Sequence, residues 1–217
     1  MSAVAALSFP PVHGVPRHSP WSRWRAHFER NRGRPLPRTD GAEALASLAP
    51  AQTEALARSL ARFQIGETGE GRIVGAVARS HMAGIDDDYR AALALFIQEE
   101  GRHARILAAL VRTLGGQLLA TTWTERMFVR ARRLAGIRFK LLTMFAAEVV
   151  GIGFYGGLAA CLPPGATRAA LEQIARDERA HLEFHRRFFA IQAPGGWRRA
   201  LFLTSFVPLA LVLEGAR

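Results

Sequence analysis

The chain of 217 residues is long enough for one domain with a sizeable core, and 49% of it is hydrophobic. Its formal net charge of +11 comes almost wholly from arginine, Lys140 being the single lysine, which fits either an anionic partner or a bias of base composition. The lone Cys161 excludes a disulfide framework and a thiolate metal cage, and fits a reducing, cytoplasmic compartment.

Residues 1–50 read as an irregular basic arm. Their first 40 residues carry six of the eleven prolines and show no sustained hydrophobic period. One short helix is expected at Trp21–Asn31, where Trp21, Trp24 and Phe28 form an apolar stripe suited to packing on the domain. The start MSAVAALSFPPVHG lacks a basic region followed by a long apolar run, so no secretory signal is expected.

The domain proper is expected over 51–196, as four helices. The first spans about Ala51–Ser80, with Phe63, Val74 and Val77 on the face that carries Glu70. Gly66, Gly69 and Gly71 disfavour it by roughly 1 kcal/mol each relative to alanine. The second starts at Ile85–Asp88, where Asp86, Asp87 and Asp88 complement the helix dipole, and ends at Gly115-Gly116. Its inner face reads Leu93, Phe96, Glu100, His103, Ile106 and Leu110. After the connector 117–135, the third helix covers about Gly136–Cys161 and is apolar around Glu148. Pro163-Pro164-Gly165 ends it, and the fourth spans Ala166–Ala193. Residues 197–217 form a hydrophobic C-terminal tail helix.

The chemistry lies in two Glu-x-x-His pairs, Glu100/His103 and Glu178/His181, the only two in the chain. A separation of three residues places carboxylate and imidazole on one helix face, the mixed oxygen and nitrogen donors that a divalent transition metal takes. Thirty residues before each pair stands one glutamate, Glu70 and Glu148. The midpoints of these intervals fall in the expected turns at 85 and 163. In an antiparallel hairpin each glutamate is then about 22 Å from its turn, at the height of its partner pair. Two such hairpins bring four glutamates and two histidines to one level, the ligand set of a carboxylate-bridged two-metal centre.

In these residues the chain resembles the ferritin-like di-iron carboxylate superfamily over about 51–192. The resemblance implies an all-α, ferritin-like four-helix bundle with a long crossover between helices 2 and 3. It implies two iron ions, with manganese as the alternative metal. Glu70, Glu100 and His103 would serve one, Glu148, Glu178 and His181 the other, and Glu100 and Glu178 would bridge. Members bind and activate dioxygen or peroxide, among them rubrerythrin-like peroxidases, ferritins and hydroxylases such as demethoxyubiquinone hydroxylase. No CxxC pair is present, so the rubredoxin module of full-length rubrerythrin is missing and an external electron donor is implied. The expected function is a di-iron oxidoreductase that uses dioxygen to hydroxylate or oxidise a small, hydrophobic substrate. A rubrerythrin-like peroxidase and a non-catalytic iron store are the alternatives.

Other residues carry open readings. Glu67 is a rival to Glu70. Glu148 lies in a stretch long enough to span a membrane, where it would be a functional acid; the matched spacing favours the metal. His185 reads as a surface histidine beside Arg186 and Arg187, with an added ligand as the alternative. His81 reads as structural, near a bundle end. Glu99 and Asp177 each precede a ligand glutamate and either orient a ligand histidine across helices or stay solvated. Tyr155 reads as core, with cavity lining as the alternative. Arginines of the connector and of the end of helix 4 would gather where the tail emerges, a candidate peripheral membrane contact. Without a recognition motif no nucleic-acid partner is expected; a homodimer is compatible.

Overall fold

A computed structural model describes residues 19–39, 48–68, 71–120 and 136–192. Among them are six helices and no strand, so the fold is all-helical. The helices are α1 (Ser22–Arg32), α2 (Pro50–Thr68), α3 (Arg72–Ala78), α4 (Asp87–Thr113), α5 (Gly136–Cys161) and α6 (Ala166–Gln192). α2 packs along α4, α5 along α6, and α1 lies across α4.

The sequence explains where the long helices begin and end. Asp86 caps α4 by accepting a hydrogen bond from the Tyr89 N–H at 2.8 Å, with Asp87 and Asp88 in the first turn. Gly115, at φ 72°, closes the other end in the left-handed region. Before α4 the chain turns at Gly84, whose φ is 78° and where an added Cβ would meet the Ile191 Cγ2 at 2.8 Å. The α5–α6 turn falls at Pro163-Pro164-Gly165, as the sequence reading expects.

The first long helix differs from expectation. In place of one helix over Ala51–Ser80 there are two, α2 ending at Thr68 and α3 starting at Arg72. Residues 69 and 70 lie outside the described residues; Gly71, just before α3, is not helical, and glycine is the residue whose backbone entropy most disfavours a continuous helix.

Two apolar clusters flank the middle of the molecule. One is aromatic, with Trp21, Phe28, Tyr89, Phe96, Phe184 and Phe188 at its centre. The other is mainly aliphatic, built on Leu60, Leu107, Leu110, Leu171 and Ile174 with Tyr155. The expected stripe of Trp21, Trp24 and Phe28 is buried in the first cluster, and the Trp21 indole N–H donates to the Gly84 carbonyl at 2.7 Å. α1 is thus part of the core. Residues 1–18 and 40–47 of the N-terminal arm, most of the basic connector and the hydrophobic tail lie outside the described residues.

α5 is long and apolar enough to cross a membrane by length and composition, a test that core helices of soluble proteins also pass. It packs along α6 and buries Glu148 and Tyr155.

Candidate metal centre

All six positions of the expected inner face of α4 are buried, Leu93, Phe96, Glu100, His103, Ile106 and Leu110. On α6 the equivalent stripe is Ile174, Glu178, His181, His185 and Phe188. The two faces bring Glu100, His103, Glu178 and His181 together, each offering a donor atom within 4.8 Å of the others. The His181 Nδ1 lies 2.9 Å from Glu100 Oε1 and 3.1 Å from Glu178 Oε2; the His103 Nδ1 lies 3.1 Å from Glu178 Oε1. Glu148 enters from α5, its Oε2 3.7 Å from the His181 Nδ1.

Glu70 lies outside the described residues. Its rival Glu67, at the end of α2, leans toward the cluster: its carboxylate accepts the Tyr155 hydroxyl at 2.6 Å and interacts with Glu100 and Glu178. Glu67 also lines a groove of about 670 Å³ with Gln64, Ile97, Ala104, Arg105 and Leu118. Tyr155 is fully buried and fills both of its expected roles, core residue and wall of the site.

Each histidine turns its Nε2 away from the cluster, toward a carboxylate on the opposite helix. His103 on α4 meets Asp177 Oδ2 at 3.4 Å, and His181 on α6 meets Glu99 Oε2 at 3.1 Å. Both acids precede a cluster glutamate by one residue, so their side chains leave the helix on the flank that faces the other helix's histidine. With Nε2 so occupied, each ring aims Nδ1 inward, as a metal-ligating imidazole does. Asp177 is further held by Arg34 at 2.8 Å, with Arg102 at 3.7 Å. Arg34, on the chain after α1, has no signature in sequence spacing.

Unpaired atoms test whether this chemistry fits a cation. Glu100 Oε1, Glu178 Oε1 and His103 Nδ1 are buried without a hydrogen-bond partner among the described residues. They lie within a few ångströms of one another yet outside hydrogen-bond geometry. Such groups are costly to bury, and convergent lone pairs are what a cation satisfies. The donor set of carboxylate oxygens and imidazole nitrogens suits a divalent transition metal. The cluster could hold a metal ion.

The protonation states follow the same logic. Burial, then the charges of Glu100 and Glu178, push Glu67 well above the usual carboxylate range. Burial, then Glu178 and Glu100, does the same to Glu148. Burial works against charge on His103, but Asp177, Glu178 and Glu100 outweigh it and hold it at about 9. Burial is likewise outweighed at His181, where Glu100, Glu148 and Glu178 raise it well above its ordinary value. Burial opposes ionisation of Glu178 too, yet its contacts with Glu148, His103 and His181 hold it well below the usual range. The two histidines are thus shifted toward the charged form and Glu67 and Glu148 toward the neutral one, while Glu178 is shifted toward the ionised form.

His185 corrects the sequence reading. It is fully buried, not a surface histidine, because a step of four from His181 returns it to the inner face despite the arginines that follow. Burial, then the neighbouring His181, pushes it down to about 3. His81, by contrast, is exposed just beyond α3. Comparison with protein families, curated proteins and solved structures gives no match to this chain.

Proposed function

We propose that the protein is a di-iron oxidoreductase of the ferritin-like kind, using dioxygen to oxidise or hydroxylate a small, largely apolar substrate in the cytoplasm. The observation that carries this reading is the buried convergence of Glu100, His103, Glu178 and His181 with unpaired donor atoms, joined by Glu148 and Glu67. In this reading α2–α3, α4, α5 and α6 form a four-helix bundle, with the chain between α4 and α5 as its crossover.

Bound iron would supply Lewis acidity and electrons for oxygen chemistry. The protein's part is positional. Glu100 and Glu178 stand centrally enough to bridge two ions, while His103 and His181 are fixed in ring orientation by Asp177 and Glu99. Phe96, Phe184 and the apolar face of α5 keep water from one side. The groove beside Glu67, with apolar walls and Arg105 on its lining, offers the other side to a substrate. An external donor would deliver the electrons.

Metal analysis of anaerobically purified protein tests the centre. Two irons per chain, lost in Glu178→Ala and reduced in Glu148→Ala, are expected; full retention in both variants defeats the reading. Oxygen uptake tests the chemistry. The iron-loaded protein should consume dioxygen in step with reductant and substrate. Turnover with peroxide and reductant alone would make it a peroxidase, and uptake of many irons per chain a store.

A further inference from the structure

His185 lies one helical turn beyond His181 and has no exposed surface. Aromatic rings border it: Phe96 at 5.2 Å between centroids, Phe184 at 5.6 Å and Phe145 at 6.4 Å. Neither of its ring nitrogens has a hydrogen-bond partner among the described residues. A neutral imidazole carries one donor and one acceptor, and native proteins seldom bury both without a reason. The direction of the ring supplies one. Its Nε2 faces Glu148 Oε1 at 3.8 Å, while the other oxygen of Glu148 lies 3.7 Å from the His181 Nδ1. Both separations are too long for hydrogen bonds. They suit donors that share one cation, since two ligands each about 2.0–2.2 Å from an ion sit up to roughly 4 Å apart.

We propose that His185 is a third histidine ligand, binding through Nε2 the same cation as Glu148 and His181. This rests on the dinuclear reading above. The two metal positions are then unequal. The one beside Glu148 has two imidazoles and an aromatic surround; the one beside Glu67 has a single imidazole and a groove. A nitrogen-rich position selects iron, cobalt, nickel, copper or zinc over magnesium and calcium, and holds its ion more tightly than its neighbour.

The test loads the full chain anaerobically with 57Fe(II) and compares wild type with His185→Phe and His185→Gln by iron titration and Mössbauer spectroscopy. Wild type should bind two irons with two distinct quadrupole doublets. In His185→Phe, which suits the aromatic surround, one doublet should be lost or shifted, and the affinity for one iron should fall tenfold or more. His185→Gln, which offers an amide oxygen, should restore two irons with one doublet displaced. It also carries the comparison if the phenylalanine variant does not fold. Unchanged doublets in the variants overturn the proposal, even where affinity falls, because a packing residue would act that way. Fewer than two irons in wild type overturns the dinuclear reading, and the third ligand with it.

Discussion

The two sides of the cluster are built alike in motif and unlike in setting. On the α5–α6 side, Glu148 comes from the middle of a long continuous helix, and His185 and aromatic rings stand behind it. On the α2–α4 side, Glu67 stands toward the C-terminal end of α2, beside a groove. The same donor types thus sit once against a closed aromatic wall and once beside an open groove. Rigid elements hold ligands to tighter tolerances than element ends do. In the proposed two-metal reading, the difference would give lasting metal retention to the Glu148 side and access to the Glu67 side.

Removing the two outer glutamates in turn breaks or sharpens that contrast most strongly. Glu148→Ala should lose an iron outright, whereas Glu67→Ala should keep both irons but exchange one of them faster with a chelator. Equal losses would erase the asymmetry. Next come the acids behind the histidines. Asp177→Asn and Glu99→Gln should each lower iron affinity about 10–100-fold. The penalty should be larger at Asp177, which Arg34 and Arg102 hold in place, than at Glu99, whose Oε1 has no hydrogen-bond partner among the described residues. Competition against a calibrated chelator reads both.

A smaller effect is expected in pH dependence, and its sign depends on the metal. In metal-free protein His103 is held at about 9 against an ordinary 6.5. A folded value raised in this way stabilises fully below the unfolded value and is lost as pH climbs through the folded one. Metal-free protein should therefore lose stability from about pH 6.5 to about pH 9. With metal bound the ligand nitrogens must be free of protons, so stability should instead fall on the acid side. Thermal unfolding across this range with and without iron should give opposite slopes; parallel slopes would remove His103 from the ligand set. The smallest change is remote from the cluster. Asp86→Ala, which deletes the cap of α4, should cost about 1 kcal/mol in denaturant unfolding with iron content intact.

Much of this was legible in sequence because it obeys helical spacing. The inner faces of α4 and α6, the turns at Gly84 and Pro163–Gly165, and the pairing of each ExxH all follow from counting residues along a helix. Counting does not choose between near neighbours in a glycine-containing stretch. The thirty-residue interval points to Glu70, which lies outside the described residues, while its rival Glu67 meets Tyr155 beside the cluster. His185 is the residue whose sequence reading the structure corrects. The arginines beside it suggested solvent, yet the steps from Glu178 to His181 to His185 are three and four residues, the period of one buried stripe. Arg34 could not have been found by any period, since it lies on irregular chain and meets Asp177 across a sequence gap of 143 residues.

That last contact gives the N-terminal segment a part in shaping the cluster. Arg34 braces Asp177, Asp177 orients His103, and Trp21 and Phe28 press the same segment onto the core. A chain trimmed to begin after residue 39 would retain every candidate ligand. It would nonetheless leave one imidazole leaning on an acid that has lost its nearest counter-ion, so the centre would be damaged by a cut that never touches it.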